Sequence, residues 1–223
     1  MRLGVLSVLG IVFLAMPASG DIVTRFDFTG NVGTTPFEMP IEVDPNIVVN
    51  ASSNLTRGSG LTTGTGQPAF SDSFVSRNWV GPQPTDYLAF TVTPQAGYFV
   101  SLDSVDMGVL ANNADRTLVL RSSLDNFATN LGSVAFSLTA VNRTMSFATP
   151  LSFSEPVTFR LVTLGATNNN NRFALTSRSG TAGLVLNGSV AAVPEPSSLL
   201  LLTMTGLATV GTGAWRRRRS RTS

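Results

Sequence analysis

The chain contains no cysteine and no histidine. Without cysteine there can be no disulfide, no thiolate metal site and no thiol nucleophile. A domain built this way must hold itself together by core burial alone, which about 170 residues can supply. Without histidine the commonest general base, the commonest zinc ligand and any Ser-His-Asp triad are excluded. Lysine is missing too: all 15 basic residues are arginine. Charge is scarce altogether. Charged side chains make up 13% of the 223 residues, against ~25% in an ordinary globular domain. The remaining surface must be built from Ser, Thr, Asn and Gly, a composition that suits an extracellular β domain better than a cytosolic enzyme.

The formal net charge of +2 is misleading. Arg216, Arg217, Arg218, Arg219 and Arg221 sit together near the C-terminus. Setting these five, Arg2 and Glu195 aside leaves nine arginines against twelve acidic residues, a net charge of about −3. No basic surface suggests nucleic-acid binding.

Residues 1–20, MRLGVLSVLGIVFLAMPASG, have the plan of a signal peptide. Arg2 supplies the positive start, Leu3 to Leu14 the apolar stretch, and Ala18 and Gly20 the small residues before a cut between Gly20 and Asp21. Such a segment implies passage through the Sec translocon and removal by signal peptidase.

The other end is patterned as strongly. Pro194 and Pro196 flank Glu195 and hold the chain extended. Leu199 to Trp215 form an uncharged run of seventeen residues. As a single hydrophobic helix the run would rise about 25 Å, just short of the ~30 Å hydrocarbon thickness. Trp215 is placed as an interfacial anchor, and Arg216 to Arg219 follow at once. A buried Arg costs about +2.5 kcal/mol, while each Leu returns only about −0.5 kcal/mol. Leu199, Leu200, Leu201, Leu202 and Leu207 cannot carry four arginines through a bilayer. Export should stall here, with the arginines as a cytoplasmic stop and the domain outside the inner membrane. Thr203, Thr205, Gly206, Thr209 and Gly211 weaken the span, which suits a transient intermediate better than a permanent anchor.

This tail resembles the PEP-CTERM sorting signal: Val193-Pro194-Glu195-Pro196, a Leu-rich run with a Thr/Gly-rich second half, then the arginines. The resemblance implies recognition by an exosortase, a multi-spanning membrane enzyme that would cut near the motif. The protein would then be released or transferred to the cell surface or extracellular matrix. Val193, Pro194, Glu195 and Pro196 are on this reading sorting elements of a substrate, with no catalytic role. A plain C-terminal membrane anchor is the alternative.

Between the two ends the pattern is β throughout. Leu88, Phe90 and Val92 alternate with Tyr87, Ala89 and Thr91; Leu118 and Leu120 share a face; Val157, Phe159 and Leu161 point one way, Thr158 and Arg160 the other. Met145 with Phe147, Phe173 with Leu175, and Leu184 with Leu186 repeat the theme. Roughly ten such runs, separated by Gly, Pro and Asn, predict an antiparallel β-sandwich of jelly-roll type with a phenylalanine-rich core. The organisation expected is a signal peptide at 1–20, a β-sandwich domain at 21–192 and a sorting signal at 193–223, with its helix at about 199–215 and its Arg cluster at 216–221. Residues 52–68, rich in Ser, Thr and Gly, read as a mobile loop, and Asn168 to Asn171 as a polar turn. Four segments (Phe26–Gly30, Leu55–Leu61, Arg121–Phe127 and Leu186–Val190) resemble a β-sandwich module common in PEP-CTERM proteins. That likeness implies architecture and surface location and no defined activity.

Candidate site residues are few. Asp103 and Asp106 fall on opposite faces of a regular strand and, with Asp44, Asp115 or Asp125, could offer oxygen to Ca²⁺; the alternative is solvated carboxylates at strand ends, and no calcium motif is present. No other metal or cofactor is expected. Trp79, Tyr87 and Tyr98 could stack on sugar rings, Trp79 being the best single candidate; the favoured alternative makes it a core or rim aromatic. Arg121 and Asp125 read as a bridge across a turn. The function expected is that of a non-catalytic, exosortase-sorted surface or matrix protein associated with exopolysaccharide or biofilm. The alternatives are an exported carbohydrate-active enzyme and a purely structural coat component.

Overall fold

A computed structural model describes residues 21–64, 70–80, 84–112, 116–165 and 172–194. The predicted signal peptide, the helix at 199–215, the Arg cluster and the Asn168–Asn171 turn lie outside these. Among the described residues no helix is long and apolar enough to cross a membrane.

The described chain is an antiparallel β-sandwich. Its strands are β1 (Asp21–Phe26), β2 (Phe37–Glu38), β3 (Glu42–Val43), β4 (Ile47–Val48), β5 (Leu55–Arg57), β6 (Thr62–Thr63), β7 (Ser73–Arg77) and β8 (Leu88–Pro94). There follow β9 (Tyr98–Ala111), β10 (Thr117–Ser122), β11 (Gly132–Ala135), β12 (Val141–Phe153), β13 (Val157–Leu164), β14 (Phe173–Thr176) and β15 (Leu184–Ala192). The first sheet runs β3-β1-β15-β9-β14-β7-β6, with β12 on the other edge of β9. The second runs β11-β10-β13-β8-β5-β2, with β4 paired to the end of β8.

Alternation built these layers where it was expected. Leu88, Phe90, Val92, Leu118, Leu120, Val157, Phe159, Leu161, Leu184 and Leu186 all lie in one core between the sheets. Aromatic rings form its centre. Phe90 stacks on Phe159 at 5.5 Å and meets Phe26 edge-on at 5.6 Å; Phe153 tilts against Phe159 at 6.1 Å. Such pairs add about 0.5–1.5 kcal/mol beyond the area they bury.

Strand β9 breaks the alternation. Val100, Leu102, Val105, Met107 and Val109 all face the core, which requires a change of parity between 102 and 105. The ladder to β15 supplies it: Ser104 opposes Asn187 while Leu102 opposes Gly188, so Asp103 is an extra, unpaired residue. A Cβ on Gly188 would lie 2.0 Å from the Ser101 carbonyl oxygen, so only glycine lets the strands approach at this bulge. The regular-strand expectation for Asp103 and Asp106 is therefore corrected. Asp106 shares the outer face with Ser104, and Asp103 sits in the bulge.

The segment 52–64 is also corrected, from mobile loop to ordered chain. Asn50 caps a 3-10 turn at Ala51–Ser53, its side chain accepting from the Ser52 N–H at 2.9 Å. Strand β5 then pairs with β8 within the second sheet. Arg57 lies 3.7 Å over the Phe74 ring and donates to the carbonyls of Val75 and Thr35 at 2.6 and 2.7 Å. Burial of this guanidinium pushes its pKa down to about 10. Its donors thus add to the Gly64 N–H on the Val75 carbonyl and satisfy that of Thr35, outside any strand.

Phe159, fully buried and packed on two other rings, is the best place to test the core. Phe159→Ala should cost about 3–5 kcal/mol, read as a lower denaturant midpoint with an unchanged slope.

Candidate functional site

The outer face of the second sheet carries a continuous row of residues. Strand registers place Phe37 opposite Thr56, Thr56 opposite Ala89, Ala89 opposite Arg160, and Arg160 opposite Arg121. Four strand spacings of ~4.8 Å make the row about 19 Å long. Its middle is shallow, because Thr56 and Ala89 are small. Beside it, Thr91 and Thr158 share a hydrogen bond at 2.9 Å.

Arg160 is the centre of this face. Its guanidinium carbon lies 4.1 Å from the Tyr87 ring centroid and 3.8 Å from that of Phe127, so the cation is clamped between two rings. Its Nε is buried and makes no hydrogen bond. Tyr87 arrives just before β8, held where its carbonyl accepts from the Gly58 N–H at 2.7 Å. Phe127 arrives from a turn that folds back over β10. Asn126 and Phe127 both have left-handed backbone, φ 57° and 62°. For a bulky residue this conformation is strained. The turn is fixed from several sides: the Phe127 N–H donates to the Ser122 carbonyl at 2.8 Å, and the Asp125 carboxylate accepts from the Ala128 N–H at 3.2 Å and the Thr129 N–H at 2.8 Å. The Thr129 hydroxyl also donates to that carboxylate, and its hydrogen bond holds the Asp125 carboxyl below the usual range.

Arg121 does not bridge to Asp125, which corrects the expected pairing. Its Nε donates to the Asn130 side-chain oxygen at 2.8 Å instead. Among the described residues no ion pair involves Arg121 or Arg160. The first sheet handles an arginine differently: Arg25 faces Glu42 across the ladder at 3.7 Å.

Other candidates fare less well. Trp79 is a core residue, the reading favoured for it over a sugar platform. It is 0% exposed, edge-on to Phe173 at 5.7 Å, and its indole N–H donates to the Ser76 carbonyl at 3.2 Å. The carboxylates are dispersed. Asp44 accepts from the Asn46 N–H at 2.8 Å, and Asp106 accepts from Asn187 at 2.8 Å and from the Thr144 hydroxyl. Asp115 lies outside the described residues, among which no three acidic groups gather as a metal site would need. A concavity of about 470 Å³ at the end of the first sheet has Phe70, Leu110 and Leu138 in its wall with Asn112 and Arg178. The size is that of a small-ligand pocket; no acidic group is among its lining residues.

The sorting elements are only partly in view. Asp21 opens β1 opposite Gly188, and the Val193 N–H donates to the Gly97 carbonyl at 2.8 Å. Gly20, Glu195, Pro196 and Arg216 to Arg219 lie outside the described residues. Strand β15 ends at Ala192, and residues 192–219 match the PEP-CTERM protein-sorting motif. The chain carries a PEP-CTERM sorting signal. The PEP-CTERM match spans the Pro-Glu-Pro motif, the apolar run and the four consecutive arginines, and the domain before it is the all-β module expected. No curated protein matches the chain. Among solved structures it is similar to a variant of the family 29 carbohydrate-binding module CBM29-2 complexed with cellulohexaose, with 13% identity over 77% of this chain and 92% of that one and a TM-score of 0.39. A second variant, complexed with mannohexaose, shows 14% identity over 75% and 92% and a TM-score of 0.37.

Because Trp79 fills the core, Trp79→Ala should cost about 3–5 kcal/mol, and any lost ligand retention would follow from unfolding. Trp79→Phe should keep a cooperative melt close to that of the parent. A Trp79→Ala protein as stable as the parent in chemical denaturation would refute the core role.

Proposed function

We propose that this is an exported, exosortase-sorted protein of the cell surface or extracellular matrix, whose β-sandwich is a non-catalytic module associating with exopolysaccharide or biofilm matrix. The observation that carries the reading is the position of the sorting motif. It begins at residue 192, where the last strand ends, so the whole sandwich lies on the N-terminal side of the cut. Signal peptidase would cut between Gly20 and Asp21 after entry through the Sec translocon. The Arg216 to Arg219 cluster would stop transfer at the inner membrane. Exosortase would then sever the chain near Glu195 and pass the domain outward.

Association with polysaccharide is supported by the chemistry of the domain's faces. Sugar hydroxyls need donors and acceptors that are exposed but already oriented, and apolar sugar faces suit rings. The outer face of the second sheet offers Thr56, Thr91 and Thr158 beside the Tyr87–Arg160–Phe127 stack. The absence of histidine and cysteine removes the commonest general base and the thiol nucleophile.

Mass spectrometry of the mature surface protein tests the sorting step. The expected C-terminus lies near Glu195 or Pro196, with the arginines gone, and Glu195→Ala should accumulate an uncut membrane form. Finding Arg216 to Arg219 on the protein at the surface would refute cleavage.

A further inference from the structure

We infer that the outer face of the second sheet binds acidic sugar polymers, with Arg160 and Arg121 as the groups that engage carboxylates of uronate residues. The inference deepens the polysaccharide reading above and rests on it, while standing apart from the sorting step.

Arg121 and Arg160 are direct cross-strand partners on one face. Opposed side chains in this position have Cβ atoms about 4.5–5.5 Å apart, and like charges there destabilise a sheet. The domain has acidic residues to spare, twelve against nine arginines. On the first sheet it sets a glutamate opposite an arginine, Glu42 opposite Arg25. On the second sheet two arginines oppose each other in register, and among the described residues neither has an acidic partner. An uncompensated pair is what a surface needs if the compensating charge arrives with a ligand.

The geometry orients the pair as well as charging it. Rings flanking Arg160 restrict its guanidinium, and its buried Nε makes no hydrogen bond. The Nε bond to Asn130 positions Arg121 by its neck. A planar guanidinium offering two parallel N–H groups fits a carboxylate in bidentate fashion, and a fixed plane loses less freedom on binding. The strained Asn126-Phe127 backbone is held by six hydrogen bonds for a turn whose ring does little for the core. Among the described residues its ring contact is with Arg160. The row from Arg121 to Phe37, about 19 Å long, gives a polymer room for several sugar units, with small Thr56 and Ala89 in its floor.

The test uses the exported protein purified from its producing cells, with polygalacturonate and the same polymer after chemical reduction of its carboxyl groups as probes. Affinity electrophoresis should show retention by polygalacturonate that weakens as salt rises, and at least about tenfold weaker retention by the reduced polymer. Arg160→Gln and Arg121→Gln should each lose about tenfold, and Arg160→Lys nearly as much, because lysine keeps the charge without the fork. Arg143→Gln, on the edge strand of the first sheet, should change nothing, and thermal melts should show all four variants folded. Equal retention of both polymers by the parent would overturn the carboxylate assignment and leave polysaccharide association standing. Retention of neither would overturn both, with the mature C-terminus reporting separately on sorting. An Arg143→Gln loss equal to that of Arg160→Gln would reduce the effect to bulk charge and overturn the site.

Discussion

The closure of one sheet on the other over a phenylalanine-centred core is the constraint on which this molecule depends. No disulfide is available to hold the layers, and among the described residues no acidic groups gather as a metal site would need, so side-chain packing sets their separation and register. The rings of Phe26, Phe90, Phe159 and Phe153 link β1 and β12 of the first sheet to β8 and β13 of the second. Phe159 supports that packing from below and, through its strand, presents Arg160 above. A residue that faces in at one position fixes its neighbour outward at the next. The core and the candidate site are thus two sides of one strand, and loosening the first would misplace the second.

Strand β9 shows how much geometry a single inserted residue can redirect. Before Asp103 the core-facing residues are Val100 and Leu102; after it they are Val105, Met107 and Val109. Without the bulge, Ser104 and Asp106 would face the core, and each would need a buried partner. With it, they join Asn187 and Thr144 in an outer hydrogen-bonded group. Gly188 makes the close approach possible on β15. The Leu186–Val190 segment therefore owes its composition to architecture, as does Arg57 in the Leu55–Leu61 segment, which donates to the Thr35 and Val75 carbonyls.

What the sequence revealed followed from the range of the interactions involved. Strands β8, β10 and β13 were legible because a period of two is a local pattern, written in consecutive residues. The sorting signal was legible for the same reason: Pro-Glu-Pro, the apolar run and the arginines adjoin in the chain. The β9 bulge was hidden, since it appears only in the register against β15. The segment 52–64 was misread because Ser, Thr and Gly suggest flexibility. There Asn50 caps a turn and the glycines fit tightly: a Cβ on Gly60 would lie 2.0 Å from the Asp86 carboxylate. Trp79 was ambiguous because an aromatic between turn residues suits either a platform or a plug, and only burial decides. The Tyr87–Arg160–Phe127 stack was beyond reach. Its members lie far apart in the chain, and Phe127 meets Arg160 only because its turn takes a left-handed backbone that its own residue type disfavours.

The two ends of function fall on different layers. Strand β15, which leads into the sorting motif, belongs to the first sheet, between β1 and β9. The arginine face belongs to the second, on the side of β13 and β8 turned away from the core. The Val193 N–H bond to Gly97 keeps the start of the exit path against the β8–β9 turn, so the described part of the tail does not cross the outer face of the second sheet. A chain held at the membrane by its tail, or later attached elsewhere through its new C-terminus, would carry its load through the first sheet and its strong ladder to β9. The second sheet's outer face would stay open throughout. On the proposed reading, processing and binding would thus make no competing demand on the same residues.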